Sequence, residues 1–308
     1  MFPVNFHTWK GYSISDYTLG TVQLGQEYGV ANIAGRPSRA LAGEILAIAG
    51  EAGINCFDTA QHYGDSEAIL GDHFSSAQGP YPHIVTKLNP ALDPGRPGAI
   101  ADAVRGSLDR LRAKKLWCLM IHNVEWLRLW DTGAFRDLID LKARGAIAHL
   151  GASVYTAEQA EAALLNPDIE VVQVPCNAWD QSMRARGIFD LAREKGKLCF
   201  IRSIYLQGLL TLPPDKVGQS LPAARAASER WIGLAREAGM DALELASRFA
   251  LSLGFPVVIG AETPAQVRRN RELLDMPALD PAQAEAIAAE MGALVSEDIL
   301  NPAKWARK

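Results

Sequence analysis

The chain has 308 residues, of which 48% are hydrophobic and 21% charged, and its formal net charge is −4. This balance is typical of a globular protein, and the sequence has no basic patch or arm of the kind that binds nucleic acid or an anionic membrane surface. The N-terminal segment has no apolar core of signal-peptide length, and no other stretch reaches the roughly 20 apolar residues of a membrane span. We therefore expect no nucleic-acid partner and no membrane partner.

The four cysteines do not form a CxxC pair. Cys56, Cys118, Cys176 and Cys199 each lie in a short apolar run that is typical of a buried strand. We interpret them as reduced core residues and not as disulfides or metal ligands. Reduced cysteines favour a cytoplasmic location.

Eight short apolar runs alternate with longer amphipathic segments. Each run is apolar at consecutive positions, as expected of a strand that is buried on both faces. The runs are TLGTVQLG (18–25), INCFDTA (54–60), HIVTKL (83–88), LWCLMIH (116–122), HLGASV (149–154), VVQVPCN (171–177), LCFIRSI (198–204) and PVVIGA (256–261).

Segments with apolar residues at three-to-four spacing lie between these runs and predict helices. They cover residues 38–53, 66–76, 99–113, 135–145, 157–165, 182–195, 223–238, 241–253 and 264–274. A strand followed by a helix, repeated eight times, predicts an α/β fold of the (β/α)8 TIM-barrel type. An open doubly wound sheet would normally carry a G-x-G-x-x-G loop, which the sequence lacks.

No linker-like or repeated segment divides the chain, so we predict a single barrel domain over 1–308. Its longest loops should lie on the rim where barrel enzymes build their sites. The tail, 294–308, is polar and interrupted by proline, and we expect it to pack across or near the barrel mouth.

Four ionisable residues lie at or just after the ends of three successive predicted strands. Asp58 ends the second strand, Lys87 closes the third and His122 closes the fourth, while Tyr63 lies in the loop DTAQHYGDSE. Neighbouring strand ends share one rim of a barrel, so these side chains can converge there. The set suits proton transfer to a carbonyl oxygen, because an ammonium beside a tyrosine lowers the tyrosine pKa. We predict Tyr63 as the general acid, Lys87 held and charge-balanced by the aspartate, and His122 orienting the carbonyl oxygen.

The segment FDTAQHYGDSEAILG resembles the signature of the aldo-keto reductases, and VTKL and MIHN fall where that family keeps its lysine and histidine. The similarity extends through essentially the whole chain. It implies a barrel with a nicotinamide cofactor extended across its top. It also implies a catalytic tetrad made of Asp58, Tyr63, Lys87 and His122. The implied reaction is NAD(P)H-dependent reduction of an aldehyde, ketone or sugar to an alcohol, or the reverse.

Further motifs resemble the family's cofactor site. GASVYT offers Ser153, and VVQVPCN offers Gln173, for the nicotinamide carboxamide, although the family's neighbouring asparagine is Val154 here. RSIYLQGLL resembles the loop after strand seven, whose backbone and Ser203 are implied to contact the pyrophosphate. Arg202 stands at the family's aromatic stacking position, and its guanidinium can also stack on a ring while adding a charge. The implied contacts from this loop are Arg202, Ser203, Leu206 and Gly208.

IGAETPAQVRRN resembles the family's adenosine motif after strand eight. The implied contacts are Gly260, Glu262, Gln266 and Asn270. Many relatives carry a lysine at the position of Gly260 and an arginine at that of Gln266, both favouring the 2′-phosphate of NADPH. The resemblance therefore implies NADPH, while the missing cations and the charge of Glu262 leave NADH open. Arg268 and Arg269 are candidates to supply the missing cation.

Rim residues after the predicted strands are candidates for the walls of a substrate pocket. They are Gln23, Tyr28, Trp126, Trp130, Tyr155 and Trp179, with Trp305 of the tail closing one side. Aromatic walls with a few polar groups suit a small carbonyl or alcohol substrate, such as an aldehyde, a ketone or a sugar.

Three other hypotheses remain open. A barrel aldolase would use Lys87 as a Schiff-base nucleophile, but it leaves Asp58, Tyr63, His122 and the cofactor motifs unexplained. A metal-dependent hydrolase is weaker, because no H-x-H ends the first strand and the six histidines are scattered, so we predict no metal site. A non-catalytic nicotinamide-sensing subunit would bind cofactor without turnover.

Overall fold

A closed barrel of parallel strands forms the centre of the computed structural model, which describes residues 5–32, 35–77, 79–133, 135–301 and 304–305. The strands are β1 (Phe6–Trp9), β2 (Tyr12–Ser15), β3 (Tyr17–Gly20), β4 (Cys56–Asp58), β5 (His83–Lys87), β6 (Leu116–Ile121), β7 (Ile147–Ser153), β8 (Val171–Pro175), β9 (Leu198–Arg202) and β10 (Val257–Gly260). Strands β3 to β9 follow one another around the barrel, and β10 closes it between β9 and β3. The predicted (β/α)8 barrel is confirmed.

Helices surround the barrel on the outside. They are α1 (Val22–Gly25), α2 (Arg39–Glu51), α3 (Ser66–Ser76), α4 (Ala99–Leu111), α5 (Arg136–Ala143), α6 (Ala157–Leu165), α7 (Ser182–Ala185), α8 (Ile188–Glu194), α9 (Pro214–Ser220), α10 (Arg225–Glu237), α11 (Ala242–Ser252), α12 (Pro264–Leu274), α13 (Pro281–Leu294) and α14 (Glu297–Leu300). Further 3-10 helices span Val124–Thr132, Leu206–Thr211 and Pro222–Ala224. Within the described residues, we find no helix with the length and apolar character needed to cross a bilayer.

The structure differs from the predicted elements at several places. The first apolar run is not one strand, because β3 ends at Gly20 and the short helix α1 follows. The predicted helix over 182–195 is two helices separated by Gly187, whose φ of 69° interrupts the right-handed path. The hairpin β1–β2 and the helix α13 had no counterpart in the sequence prediction.

Apolar side chains fill the space between the barrel and its helices and also the barrel itself. Inside the barrel, Val85, Met120 and Phe200 are buried together with Ile14 from the hairpin. All four cysteines are buried and unpaired, as predicted. A separate apolar cluster lies under helices α9 to α11 and α13, and Trp305 of the tail packs against it. The Trp305 indole donates a hydrogen bond to the Ile299 carbonyl at 3.1 Å, while 302–303 and 306–308 lie outside the described residues.

The β1–β2 hairpin covers the N-terminal end of the barrel. Lys10 and Gly11 form its turn with φ angles of 48° and 82°, the left-handed pair that a two-residue hairpin turn requires. Trp9 and Tyr12 then pack edge-on against Trp117, with ring centroids 6.4 and 5.7 Å away. The hairpin therefore seals the end of the barrel opposite the carboxyl ends of the strands.

A partly buried carboxylate holds this closed end together. Glu170, just before β8, accepts hydrogen bonds from Lys10 of the hairpin turn and Lys142 of α5, and lies 3.3 Å from His149 Nδ1. Burial alone raises the pKa of Glu170, but the two lysine hydrogen bonds outweigh it and lower the pKa to about 2. The carboxylate is therefore charged in the folded protein at any ordinary pH.

Replacing Glu170 with glutamine should destabilise the protein at neutral pH by about 1–3 kcal/mol, because the lysines lose their charged partner. A lowered folded-state pKa gives stability that is complete above the ordinary value of 4.5 and is lost as the pH falls toward 2. The difference between wild type and Glu170→Gln in urea unfolding should therefore shrink from pH 7 to pH 3. Glu161→Gln, at an exposed pair with Arg186, is the control and should change stability by less than about 1 kcal/mol. An equal difference at both pH values would contradict this assignment.

Candidate active site

Three adjacent barrel strands bring the predicted tetrad together. Asp58 is the last residue of β4 and Lys87 the last of β5, while His122 directly follows β6. Since β4, β5 and β6 are neighbours with parallel register, their carboxyl ends meet at one rim. Tyr63 reaches the same place from the loop after β4.

Lys87 is fully buried and forms an ion pair with Asp58. The ammonium Nζ lies 2.6 Å from Asp58 Oδ1 and also donates to the Thr59 carbonyl at 3.0 Å. From the opposite side of the barrel, Gln173 Nε2 donates to the same carboxylate oxygen at 2.7 Å. Burial lowers the pKa of Lys87, and the adjacent carboxylate opposes that shift. The pair is thus a compensated charge inside the barrel.

Tyr63 lies over this pair, with Lys87 Nζ 5.1 Å from its ring centroid. The sequence led us to expect a lowered Tyr63 pKa, and that expectation is wrong. Burial raises the Tyr63 pKa well above its ordinary value, and the charge of Asp58 raises it further, while Arg202 opposes. Because Lys87 is neutralised by its aspartate, its charge does not offset the burial of the phenol.

His122 lies beside Tyr63, with the two ring centroids 6.0 Å apart and the rings nearly perpendicular. Burial, reinforced by the charges of Lys87 and Arg202, lowers the His122 pKa to about 3. The imidazole is therefore neutral at physiological pH. Its Nδ1 is buried and has no hydrogen-bond partner among the residues that the structure describes.

Two glycines fix the position of the tyrosine loop. A Cβ on Gly25 would lie 1.7 Å from the Tyr63 carbonyl oxygen, and one on Gly64 would lie 2.3 Å from the Gly25 oxygen. Ser66 strengthens the same contact, because its hydroxyl bonds those of Thr21 at 2.6 Å and Thr59 at 2.8 Å. The signature segment therefore holds two loops together as well as supplying Tyr63.

The tyrosine opens onto a cavity of about 370 Å³ at this rim. The predicted site residues that line it are Gln23, Tyr28, Asp58, Tyr63, Gln173, Arg202, Ser203, Gly208, Gly260, Glu262, Gln266 and Asn270. Lining residues that the sequence did not single out include Asn32, Tyr205, Gln207 and Thr211. Gln207 belongs to the RSIYLQGLL motif, so the resemblance of this motif to the family's cofactor loop could have identified it.

Other predicted residues lie away from the cavity wall. Ser153 is buried behind it, with Oγ 3.4 Å from Gln173 Oε1. Leu206 turns into the apolar cluster under α9 to α11. Tyr155 is exposed on the rim, where the Arg202 guanidinium lies 4.8 Å from its ring centroid.

The prediction that tryptophans line the substrate pocket is wrong. Trp126 and Trp130 are buried against Phe135, with ring centroids 5.6 and 5.4 Å from it. Trp179 is buried in the same apolar cluster that contacts Trp305. Apolar packing beneath the rim loops thus holds these side chains, and none of the three lines the cavity.

The loop after β9 folds over the cavity in a left-handed path. Ser203, Leu206, Gln207 and Gly208 all have positive φ, between 47° and 93°. The Gln207 carbonyl accepts from the Val30 amide at 3.1 Å, and a Cβ on Gly208 would lie 2.6 Å from that of Ala31. The two loops therefore close against each other across one side of the cavity.

The far end of the cavity lies at the start of α12. Gln23 fills the space above Gly260, where a Cβ would lie 2.2 Å from the Gln23 amide. Gln23 is buried, and its Oε1 has no partner among the described residues. Gln266 is engaged in the helix capping box, in which its Oε1 accepts from the backbone amides of Glu262 at 2.6 Å and Thr263 at 3.2 Å. The buried side-chain oxygen of Gln23 thus has no partner among the described residues, whereas that of Gln266 already accepts two backbone amides.

Within the described part of the chain, no group of three or more histidine, cysteine, aspartate or glutamate side chains is arranged to hold a metal ion.

Known proteins resemble this chain in sequence and in architecture. The family model described as Aldo/keto reductase family matches residues 17–290. The chain is 24% identical over 288 residues to D-arabinose 1-dehydrogenase of Saccharomyces cerevisiae, which covers 83% of this chain and 82% of the relative. It is 25% identical over 296 residues to D-threo-aldose 1-dehydrogenase of a Pseudomonas species, covering 82% and 90%.

Two solved structures show the same fold. The holo form of an aldo-keto reductase from Bacillus halodurans has a TM-score of 0.75 at 20% identity, covering 97% of this chain and 100% of that chain. A glycerol dehydrogenase from Gluconobacter oxydans has a TM-score of 0.71 at 22% identity, covering 98% and 96%.

Removing one member of the buried ion pair should cost more than removing both. Asp58→Asn should lower the free energy of unfolding by about 3–5 kcal/mol, because the Lys87 ammonium stays buried without its counter-charge. The double variant Asp58→Asn, Lys87→Met should recover much of that loss, as measured by urea unfolding. A double variant as unstable as the sum of the two single variants would show that the pair is not coupled.

Proposed function

The chain belongs to the aldo/keto reductase family, and we propose that it is an oxidoreductase that transfers a hydride between a nicotinamide cofactor and a small carbonyl compound or its alcohol. One observation carries the proposal: the Lys87–Asp58 pair, at 2.6 Å, lies directly beneath a partly buried tyrosine that faces the cavity.

The described side chains suit proton transfer at this tyrosine. The raised pKa keeps the Tyr63 phenol protonated, so it can donate a hydrogen bond to a carbonyl oxygen and then give up its proton as that oxygen becomes an alkoxide. Lys87 supplies a fixed positive charge 5.1 Å from the ring centroid. His122 is neutral, so it can orient the oxygen through a ring N–H without acting as a second acid. A bound nicotinamide cofactor would supply the hydride.

The cavity residues fit such a cofactor. At the tyrosine end, Gln173 lies in the cavity wall and is our candidate for the carboxamide, whereas Ser153 is buried behind it and bonds Gln173. In the middle, the loop after β9 lines the cavity with a left-handed backbone at Ser203 and Gln207, a conformation whose amides can bind phosphate oxygens. At the far end, Gln23 has an amide oxygen without a partner, and Asn270 lies in the cavity wall.

The charges at the far end favour NADH over the NADPH that the family resemblance implies. Arg269 is already paired with Asp241 at 3.3 Å and Glu272 at 3.5 Å, and Arg268 is exposed and outside the cavity wall. Glu262 lies in the wall without a salt-bridge partner among the described residues. A carboxylate can accept hydrogen bonds from a ribose diol but repels a 2′-phosphate.

The substrate that we propose is a small polyol or sugar carbonyl. Two relatives are named as 1-dehydrogenases of sugars, D-arabinose and D-threo-aldose. The wall of the cavity supports this, because Tyr28 and Gln207 carry polar groups there, whereas Trp126, Trp130 and Trp179 do not line it.

Two alternative hypotheses, the Schiff-base aldolase and the nicotinamide-sensing subunit, lose support for physical reasons. A Schiff-base lysine must be accessible and uncharged, but the Lys87 amine is fully buried and donates to both Asp58 and a backbone carbonyl. A sensing subunit would need no acid, whereas Tyr63 opens onto the cavity beside the ion pair.

Tyr63→Phe should lower kcat by about 10²–10⁴-fold and leave cofactor affinity within a factor of about three, because only the proton donor is removed. Steady-state reduction of an aldose panel and cofactor fluorescence titration measure the two quantities. Tyr81→Phe, which removes a remote tyrosine hydroxyl that bonds the Leu111 carbonyl, is the matched control and should keep wild-type turnover. Normal turnover in Tyr63→Phe would exclude this residue as the acid. Cofactor binding without any turnover in the wild type would favour the sensing hypothesis.

Glu262→Gln should improve NADPH affinity relative to NADH by about three- to tenfold at low salt, because a repulsive charge near the 2′-phosphate is removed. Parallel titrations of wild type and variant with both cofactors give the ratio. Glu161→Gln removes a glutamate on the outer helix α6 and should leave the ratio unchanged. An unchanged ratio in Glu262→Gln would place the 2′-position away from this carboxylate.

A further inference from the structure

The charged side chains of the cavity wall differ in whether an opposite charge lies within salt-bridge distance. Asp58 is paired with Lys87 at 2.6 Å, and Arg269 is paired with Asp241 at 3.3 Å. Arg202 lies in the same wall, next to the tyrosine end, and has no carboxylate within salt-bridge distance among the described residues. It is therefore the side chain that gives this end of the cavity its net positive charge.

Neutral groups hold the Arg202 guanidinium in place. One Nη donates to the Val154 carbonyl at 2.9 Å, and the other donates to Ser203 Oγ at 3.2 Å. Its flat face lies 4.8 Å from the ring centroid of Tyr155. These contacts fix the orientation of the side chain at the ends of β7 and β9, but none of them cancels its charge.

The charge of Arg202 extends to the residues of the proposed chemistry. The His122 pKa is lowered first by burial, and then by the charges of Lys87 and Arg202. Arg202 also opposes the burial-driven rise of the Tyr63 pKa. A group that receives a proton from Tyr63 must lie within the same field.

We propose that Arg202 makes the protein bind the reduced nicotinamide cofactor more tightly than the oxidised one, so that the reduced form occupies the cavity when both forms are present. The inference rests on the proposed function. Transfer of a hydride, which is one proton with two electrons, reduces the carbonyl carbon and oxidises the neutral nicotinamide ring to a ring with one positive charge. Tyr63 gives a proton to the oxygen and recovers one from solvent.

The ring must lie next to the carbonyl carbon for the hydride to move, and the carbonyl oxygen must reach Tyr63. A ring bound in this way would lie near Arg202, which lines the same cavity as Tyr63 and acts on the Tyr63 pKa. A fixed cation raises the energy of the charged, oxidised ring and leaves that of the neutral, reduced ring nearly unchanged. Lys87 contributes less to this difference, because Asp58 neutralises it.

The test is a charge series at one position with binding as the readout. Dissociation constants for NAD⁺ and NADH, and for NADP⁺ and NADPH, are measured by fluorescence titration and calorimetry on wild type, Arg202→Lys and Arg202→Met. We expect wild type to bind the reduced form more tightly. Arg202→Met should lower the ratio of the oxidised-form to the reduced-form dissociation constant by about tenfold, and Arg202→Lys should keep it near the wild-type value. Arg269→Met, which removes a compensated cation of the same wall, should change both constants by a similar factor.

Each other outcome overturns the inference. Equal changes for both redox forms in Arg202→Met would show that Arg202 contributes shape or hydrogen bonds and not charge. The same loss of preference in Arg202→Lys would show that the guanidinium geometry matters and not its charge. Failure of the wild type to bind either redox form would refute the proposed function itself, and the inference with it. Thermal unfolding of each variant establishes that it is folded.

Discussion

The buried Lys87 ammonium is the constraint on which the rest of the site depends. Removing such a charge from water costs several kcal/mol unless a counter-charge and further hydrogen bonds replace the lost solvent. Asp58 supplies the counter-charge at 2.6 Å, the Thr59 carbonyl accepts a second bond, and Gln173 holds the carboxylate from across the barrel. The ends of three strands are thereby fixed relative to one another. The same compensation limits the influence of Lys87 on Tyr63, which explains why the phenol pKa is raised and not lowered.

A pattern of strands is easier to predict from sequence than the walls of a cavity. The eight buried strands follow from consecutive apolar residues, and the convergence of Asp58, Lys87 and His122 follows from parallel strands that end at one rim. The hairpin β1–β2 escaped prediction because FHTW and YSIS are short and mixed in polarity, and its stability comes from aromatic contacts with Trp117 that are distant in sequence. Composition alone could not reveal those contacts.

The wrong prediction for the tryptophans also comes from packing contacts that composition alone could not reveal. Loop position predicted that Trp126 and Trp179 face substrate, but a loop can also bury a large apolar side chain beneath the rim, and the gain from burial decides between the two. Gln266 was predicted at the adenosine end from its motif, and it lines the cavity. However, the helix start uses its side-chain oxygen for two backbone amides, a local hydrogen bond that competes with any ligand. The structure reveals that a side chain is already hydrogen-bonded within the protein, and the motif does not.

The charged side chains at the two ends of the barrel differ in how closely they are paired with opposite charges. At the closed end, the hairpin and α5 bring Lys10 and Lys142 onto the single carboxylate of Glu170, with His149 nearby. At the open end, a carbonyl, a hydroxyl and an aromatic ring orient Arg202, with no carboxylate in salt-bridge distance in the described part of the chain. A charge that serves stability gains most from a close counter-charge, as at Glu170. A charge held rigidly without one keeps its field, and the groups exposed to that field are those that bind in the cavity beside Tyr63.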